Sequence, residues 1–320
     1  MEESRLWVAL RAVEVGFHMY FRLPKALSRG AAVAIALLVA VLPQTQGEMA
    51  LVWDLVTALV DALLLASLVH FTPYSGIRLG IVVLPIFAAT AASSHLQILA
   101  SLLETHQKLL FYWFFLLGTA LPCIFLLRNQ LRKTIVRKSF HFLALGIFLP
   151  ALTEPVFLSL AFICALDLFI FVEFLRKLPS FACLNPYMES FMDSRDSGEV
   201  ALTHIFLLCG CGLPVLLETI TGLAGLGHIG LLVLCIGDSL AAIVGSTLGR
   251  HWLPYRKPKT WEGLGAGLCA MLAYSRLYRE YPALGQTSFL AALYESYTLE
   301  IDNLSLPFFS MAAYAFLHSN

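Results

Sequence analysis

Charged residues are scarce in this chain of 320 residues: they make up 13% of it, against about a quarter in ordinary soluble domains. Hydrophobic residues make up 59%. A soluble protein of this composition would lack the polar side chains needed to cover its surface, so the composition excludes an ordinary soluble domain and indicates a membrane protein. The net charge of zero says nothing about partners, and we expect no nucleic-acid partner.

Two common site patterns are also missing. The seven cysteines show no paired metal spacing, because Cys209 and Cys211 stand too close together for a usual zinc pair and most of the others lie in apolar runs. We therefore predict that the cysteines are small packing residues. No G-x-x-x-x-G-K-[ST] sequence occurs, so the sequence does not support an ATP-binding P-loop.

Apolar runs recur along most of the sequence, and a run of about 20 residues is long enough to cross a bilayer. We predict an all-α fold, a polytopic transmembrane helical bundle of about 8–10 spans. The predicted spans are 31–43, 49–70, 79–100, 109–127, 140–153, 156–175, 201–221, 227–249, 262–278 and 306–318. Residues 1–127 are predicted to be an amino-terminal part, an amphipathic segment followed by spans of unknown role, and residues 128–320 a second membrane domain, which contains all the motifs described below.

Basic residues cluster at three places in the second part: 128–138, 176–177 and 250–259. An even number of predicted spans separates each cluster from the next, so all three lie on one side of the membrane. The positive-inside rule makes that side cytoplasmic.

The segment from Cys235 to Gly267 places an acid on an apolar helix and follows it with a basic loop. Small residues recur after Asp238 at helical spacing, so one face of the helix is nearly bare backbone that another helix or a ligand can approach. The loop supplies cations for an anionic group. This combination points to a membrane enzyme that handles a nucleotide. Acids inside membranes are usually functional, and an interhelical hydrogen bond is the alternative role for Asp238.

The polar loop 177–200 contains Arg195 and Asp196 shortly before a predicted span. A solvated helix cap and a functional role are equally compatible with its charges.

Four segments together resemble the dolichol kinase family, membrane enzymes that use CTP to phosphorylate a long polyisoprenoid alcohol. They are RKSFHFLALGIFLP (137–150), SRDSGEVALTHIFLL (194–208), GDSLAAIVGSTLG with KPKTWEG (237–249 and 257–263), and ESYTLEIDNLSLP (295–307). The third segment also resembles phytol kinases, CTP-dependent diacylglycerol kinases and phosphatidate cytidylyltransferases.

The resemblance implies CTP as phosphate donor, Mg²⁺ or another divalent cation, and dolichol or another polyprenol as acceptor. It also implies an endoplasmic reticulum membrane protein with a cytoplasmic active site, which supplies the lipid carrier for protein glycosylation. The implied catalytic residues are Asp238, Asp302 and His141, with Asp238 and Asp302 as metal ligands. The implied CTP-binding residues are Arg137, Lys138, Arg195, Asp196, Gly245, Gly249, Lys257, Lys259, Thr260, Glu262 and Asn303.

Two roles stay open within this set. His141 lies one helical turn from Arg137 and Lys138, and it is either a general base or a hydrogen-bonded packing residue. Asp302 follows a stretch with only one clear span, 262–278, where the family has two crossings. Either residues 284–298 form a short return helix, or Asp302 lies on the wrong side of the membrane.

The depth of Asp238 gives a further expectation. An unbroken helix places Asp238 about 16 Å from Gly249, too deep for a triphosphate. We therefore predict a helix break at Gly237 or a cavity that reaches into the membrane. The polyprenol is expected to lie along the small-residue face of residues 238–249.

Other function classes remain. A cytidylyltransferase is disfavoured because its family ends in a Gly-His-Gly-Gly…Asp-Arg-x-Asp-Ser pattern, which is absent here. A multi-span transporter is the alternative outside enzymes: Asp54 and Asp61 share a face of one predicted span and could form part of an ion path. No inverted repeat supports that alternative.

Overall fold

The computed structural model describes residues 100–176, 181, 185, 203–254, 256–298 and 302–318. The predicted spans 31–43 and 49–70, and all but the last residue of the predicted span 79–100, lie outside these residues. Asp54, Asp61, Arg195 and Asp196 also lie outside them. Eight principal helices and one hairpin are formed in the part described. The helices are α1 (Gln107–Leu127), α2 (Lys133–Phe148), α3 (Pro155–Leu175), α4 (Thr203–Thr221), α5 (His228–Thr247), α6 (Trp261–Leu277), α7 (Ala283–Tyr297) and α8 (Asp302–His318).

Three of these helices, α1, α4 and α5, are long and apolar enough to cross a membrane. Their bounds agree with the predicted spans 109–127, 201–221 and 227–249. The chain is an all-α polytopic membrane protein, as its composition predicts. The count of about 8–10 spans concerns the whole chain and stays a prediction.

Packing groups the chain into two compact units. One contains residues 1–107 and 159–205, and the other contains residues 108–158 and 206–320. All the contacts that form the candidate site below lie within the second unit. The predicted division at residue 127 stays a prediction.

Helix α5 is the central helix of the second unit. Residues 231–235 have no exposed surface, and α5 packs against α2, α6, α7 and α8. Its segment Leu231–Asp238 is a π-helix, and the hydroxyl of the next residue, Ser239, donates back to the Leu234 carbonyl oxygen at 2.9 Å. The helix continues through Gly237 without the predicted break, and the alternative of a cavity that reaches into the membrane stays a prediction. Such π segments are frequent at functional sites.

Small residues in α5 and α6 allow the two backbones to come close together. A Cβ atom on Gly263 would lie 2.6 Å from the Ala241 carbonyl oxygen, and one on Gly267 would lie 2.8 Å from the Gly237 carbonyl oxygen. The small-residue face of α5 is therefore covered by α6. The prediction that the polyprenol lies along this face is wrong, because a helix and not a ligand uses the bare backbone.

Helix α7 connects α6 to α8. It has 15 residues and packs against both of these helices, so of the two alternatives given by the sequence, the short return helix at 284–298 is the one that is formed. The start of α8, with Asp302, consequently lies at the same end of the unit as the end of the basic loop.

Residues of the predicted basic loop form a short antiparallel hairpin, which sequence patterns did not predict. Strand β1 (Trp252–Leu253) pairs with β2 (Arg256–Thr260). Thr260 ends β2 and begins α6: its extended backbone places its hydroxyl to accept a hydrogen bond from the Gly263 amide. This is an ordinary helix N-cap.

The loop at the opposite end of α5 is held by one acid. The Glu218 carboxylate accepts hydrogen bonds from the amides of Gly225, at 3.1 Å, and Gly227, at 2.6 Å. Gly225 adopts a φ of +85°, a left-handed conformation that favours glycine. Burial, followed by the carboxylates of Glu218 and Glu280, raises the pKa of the nearby loop residue Tyr281, so its hydroxyl stays protonated.

Candidate active site

A buried ion pair lies at the centre of the site. The ammonium group of Lys138 on α2 donates to the carboxylate of Asp238, and each residue is only 5% exposed. Separated charges are costly to bury, and a paired, hydrogen-bonded arrangement offsets part of that cost. The last π turn of α5 brings Asp238 to face α2. A polar centre therefore exists inside an otherwise apolar bundle.

His141 joins this pair to α8. Its Nε2 atom lies 3.2 Å from the side-chain oxygen of Asn303 and 3.6 Å from the Asp238 carboxylate. Its Nδ1 atom lies 3.2 Å from the Arg137 carbonyl oxygen on its own helix. Both ring nitrogens therefore have oxygen partners within the protein. This geometry favours His141 as a hydrogen-bonded positioning residue and not as a general base.

The second lysine of the site comes from the hairpin. Lys259 donates to both the backbone oxygen and the side-chain carboxylate of Glu295, with its Nζ atom 3.3 Å from the carboxylate oxygen Oε1. Glu295 lies in the last turn of α7, where the final carbonyl groups have no partner within the helix. A lysine there is also favoured by the negative end of the helix dipole.

Three acids and two lysines share this region. The charges of Asp238, Lys259, Asp302 and Lys138 all act on Glu295, and Lys259 also acts on Asp238. Acids and lysines are thus close together in this part of the site, where Lys138 and Lys259 offset part of the repulsion among the carboxylates.

The motif residues around Lys259 shape the loop. Thr260 caps α6, and its hydroxyl would lie 3.2 Å from a Cβ atom on Gly245. A Cβ atom on Gly249 would lie 2.7 Å from the same hydroxyl. The Glu262 carboxylate accepts from the His251 amide at 3.2 Å and lies 2.6 Å from the His251 ring. These contacts hold the hairpin against α5 and the start of α6. Strand β2 therefore places Lys259 at the site.

The structure thus brings together residues from three of the four segments that sequence analysis selected: 137–150, 237–263 and 295–307. Arg195 and Asp196 from the remaining segment lie outside the described residues, and so does the side chain of Lys257. Arg132, which precedes α2, makes a further contact with α5. Its guanidinium donates to the Ser246 carbonyl oxygen at 2.7 Å, near the end of that helix.

Sequence analysis gave no role to Glu295 or to Arg132. Glu295 opens the segment ESYTLEIDNLSLP, seven residues before Asp302, so its place in the motif was the available signal. Arg132 was considered only as part of the basic cluster 128–138, which was used to predict the side of the membrane.

The donor set for a metal ion is partial. In the part of the chain that the structure describes, no group of three or more His, Cys, Asp or Glu side chains could hold a metal ion. Magnesium in nucleotide sites is commonly bound by one or two carboxylates together with substrate phosphates and water. Asp238 and Asp302 fit that mode of binding.

Comparison with known proteins gives a consistent relationship. The chain is 34% identical to dolichol kinase of Bos taurus over 241 residues, which cover 64% of this chain and 44% of the bovine protein. It is 33% identical to dolichol kinase of Homo sapiens over 241 residues, with the same coverage of each chain. Dolichol kinase sec59 of Schizosaccharomyces pombe is 29% identical over 239 residues, 66% of this chain and 47% of the yeast protein.

No family model and no solved structure matches the chain. The chain spans somewhat less than half the length of the curated relatives described above. Within the aligned region, the chain is similar to these dolichol kinases.

Proposed function

We propose that this protein phosphorylates dolichol to dolichyl phosphate with CTP as the donor. The observation that carries the proposal is the convergence of Lys138, Asp238 and Lys259 on one buried polar site, in a chain related to dolichol kinases. The site combines cations for phosphate with carboxylates for a divalent metal ion, which are the groups that phosphoryl transfer requires.

In this proposal the two lysines bind the triphosphate. Lys259 is the principal phosphate contact, and Lys257 and Arg137 add positive charge from the hairpin and from α2. Arg195, Asp196 and Asn303 are proposed to complete nucleotide binding. Thr260, Glu262, Gly245 and Gly249 support the nucleotide site through the conformation of the hairpin.

The reaction forms a bond between the dolichol hydroxyl oxygen and the γ-phosphorus of CTP. The bond from that phosphorus to the bridging oxygen breaks, and CDP leaves. The hydroxyl proton passes to a base. Asp302 is the proposed proton acceptor, since both nitrogens of His141 already have oxygen partners. Asn303 and His141 then position the Asp238 carboxylate.

Asp238 and Asp302 are proposed to hold Mg²⁺ together with the nucleotide phosphates. A bound divalent cation supplies charge neutralisation for the transferring phosphoryl group. The two carboxylates support this proposal, because oxygen ligands of this kind bind Mg²⁺ together with phosphates.

The endoplasmic reticulum membrane is the proposed location, with the site on the cytoplasmic side. The basic clusters at 128–138 and 250–259 support this orientation through the positive-inside rule. The product would serve as the lipid carrier for protein glycosylation.

The test is phosphate transfer in membranes that contain the full chain. γ-Labelled CTP and γ-labelled ATP are each supplied with dolichol, phytol or diacylglycerol. The proposal requires labelled dolichyl phosphate with CTP and much less with ATP. Transfer to phytol or diacylglycerol alone would assign a related lipid kinase. Label from α-labelled CTP, but not from γ-labelled CTP, in a lipid product would indicate a cytidylyltransferase.

A further inference from the structure

Glu295 is the buried acid of the site that the proposed reaction does not yet use. Only 8% of the residue is exposed, and it lies at the end of α7, where that helix meets the hairpin. We infer that Glu295 is a positioning residue, which fixes Lys259 for contact with the donor phosphates. This inference rests on the proposed function and adds a residue to it.

The argument begins with the hydrogen bonds of Lys259. A lysine ammonium group has three N–H donors and no acceptor. Two acceptors for Lys259 come from the same residue, the backbone oxygen and the carboxylate of Glu295. Two bonds from a single residue restrict a side chain that otherwise has four rotatable bonds. The ammonium group retains one further donor for a phosphate oxygen.

The location of the contact between Lys259 and Glu295 supports the same conclusion. Lys259 lies in the paired strand β2, immediately before the cap residue Thr260, so its backbone is held by the hairpin and by the start of α6. Glu295 fixes the other end of the side chain. The Lys259 side chain is 24% exposed, so its ammonium group lies at the edge of the buried charge cluster, where a nucleotide can reach it.

The carboxylate has a second consequence. Glu295 interacts unfavourably with Asp238 and Asp302, so its position near them carries an electrostatic cost that Lys259 and Lys138 reduce. Alanine at this position removes the repulsion and the carboxylate contact of Lys259, and it leaves the backbone oxygen of residue 295 as an acceptor. We expect the less restricted Lys259 to raise the KM for CTP, whereas the KM for dolichol stays close to that of the wild type.

The first test measures the Lys259–Glu295 contact without requiring activity. The full chain in detergent is labelled with acetic anhydride, and the acetylation rate of each lysine is followed by mass spectrometry. In Glu295→Ala we expect Lys259 to react about tenfold faster, the ratio expected when one charge-assisted hydrogen bond is lost. Exposed Lys133 should keep its rate, and buried Lys138 should stay unreactive. An unchanged rate at Lys259 overturns the inference.

If the alanine variant unfolds, buried Lys138 will become reactive in it. The variant Glu295→Gln then tests the contact between Lys259 and residue 295. Glutamine retains an oxygen acceptor without the charge, so we expect Lys259 to react faster than in the wild type but slower than in a freely exposed side chain. A rate equal to that of the wild type overturns the inference.

Labelling in the presence of nucleotide distinguishes a failure of this inference from a failure of the proposed function. Mg²⁺ with CTP should slow acetylation of Lys259 in the wild type. Absence of that protection contradicts the proposed nucleotide contact, while the variant rates still report on Glu295. In transfer assays, Glu295→Ala should raise the KM for CTP more than it lowers kcat. An effect confined to kcat contradicts the positioning role.

Discussion

Lys138 and Asp238 are separated by one hundred positions in the sequence and form an ion pair in the interior of the bundle. Each comes from a different helix, and His141 and Asn303 extend the contact to a third. The pair therefore joins α2, α5 and α8 at the point where the π-helical segment of α5 ends. It is both a folding constraint and the polar centre of the candidate active site.

The first prediction concerns the stability of this pair. Lys138→Met leaves the Asp238 carboxylate buried without its counter-ion, and breaking such a pair costs about 3–5 kcal/mol. Thermal unfolding of the purified protein in detergent measures the loss. The double variant Lys138→Met/Asp238→Asn should recover most of the stability, because no uncompensated charge remains. A double variant as unstable as Lys138→Met would contradict this explanation.

The second prediction concerns the close packing of α5 on α6. Gly263→Ala places a methyl group against the Ala241 carbonyl oxygen, so we expect a loss of about 1–3 kcal/mol from overpacking. Gly265→Ala is the matched control on the same helix, because a Cβ atom there has no neighbour within 4 Å. The control should keep the wild-type melting temperature or exceed it slightly. Equal losses in both variants would refute the proposed packing.

The third prediction concerns the loop held by Glu218. Gly225→Ala introduces backbone strain at a φ of +85° and a contact with the Tyr281 ring, whose Cγ atom would lie 2.6 Å from the new methyl group. Gly222→Ala introduces strain alone, at a φ of +70° in open space. A left-handed non-glycine residue costs about 1–2 kcal/mol, so Gly225→Ala should lose more than that and Gly222→Ala about that amount. Comparable melting temperatures for the two variants would contradict the loop contacts.

The fourth prediction concerns the phosphate contact of the hairpin. Lys259→Met should lower kcat/KM for CTP about 10²-fold, chiefly through a higher KM, because a charge-assisted contact with the donor phosphates is worth up to about 3 kcal/mol. Arg279→Gln is the control, since Arg279 is an exposed cation in the loop between α6 and α7. Its kcat/KM should stay within twofold of the wild-type value, as expected of an exposed surface charge (~0.5 kcal/mol or less). A similar loss in both variants would indicate a general effect of charge and not a specific contact.

Much of the fold follows from the sequence because burial in a membrane leaves long apolar runs. The bounds of α1, α4 and α5 agree closely with the predicted spans, and the motif segments that contain Lys138, Asp238 and Asn303 do meet. The helix break expected at Gly237 is not formed, because π-helical turns continue the helix through this position.

The contacts that were missed depend on tertiary structure. A row of small residues is compatible with a ligand or with another helix, and only the path of α6 shows that Gly263 and Gly267 fill the space. The hairpin was missed because β1 has only two residues and β2 contains proline. Glu295 resembled an ordinary helix residue until α7 proved to return the chain to Lys259.

The central claim is that Asp238 serves CTP-dependent phosphorylation of dolichol. The most direct measurement is the rate of dolichyl phosphate formation from γ-labelled CTP in membranes containing the wild type, Asp238→Asn or the control Glu280→Gln, a change of an exposed loop acid. The account predicts a rate at least about 10²-fold lower in Asp238→Asn and a wild-type rate in Glu280→Gln, at equal amounts of folded protein. Full activity of Asp238→Asn, or no CTP-dependent transfer by the wild type, would contradict it.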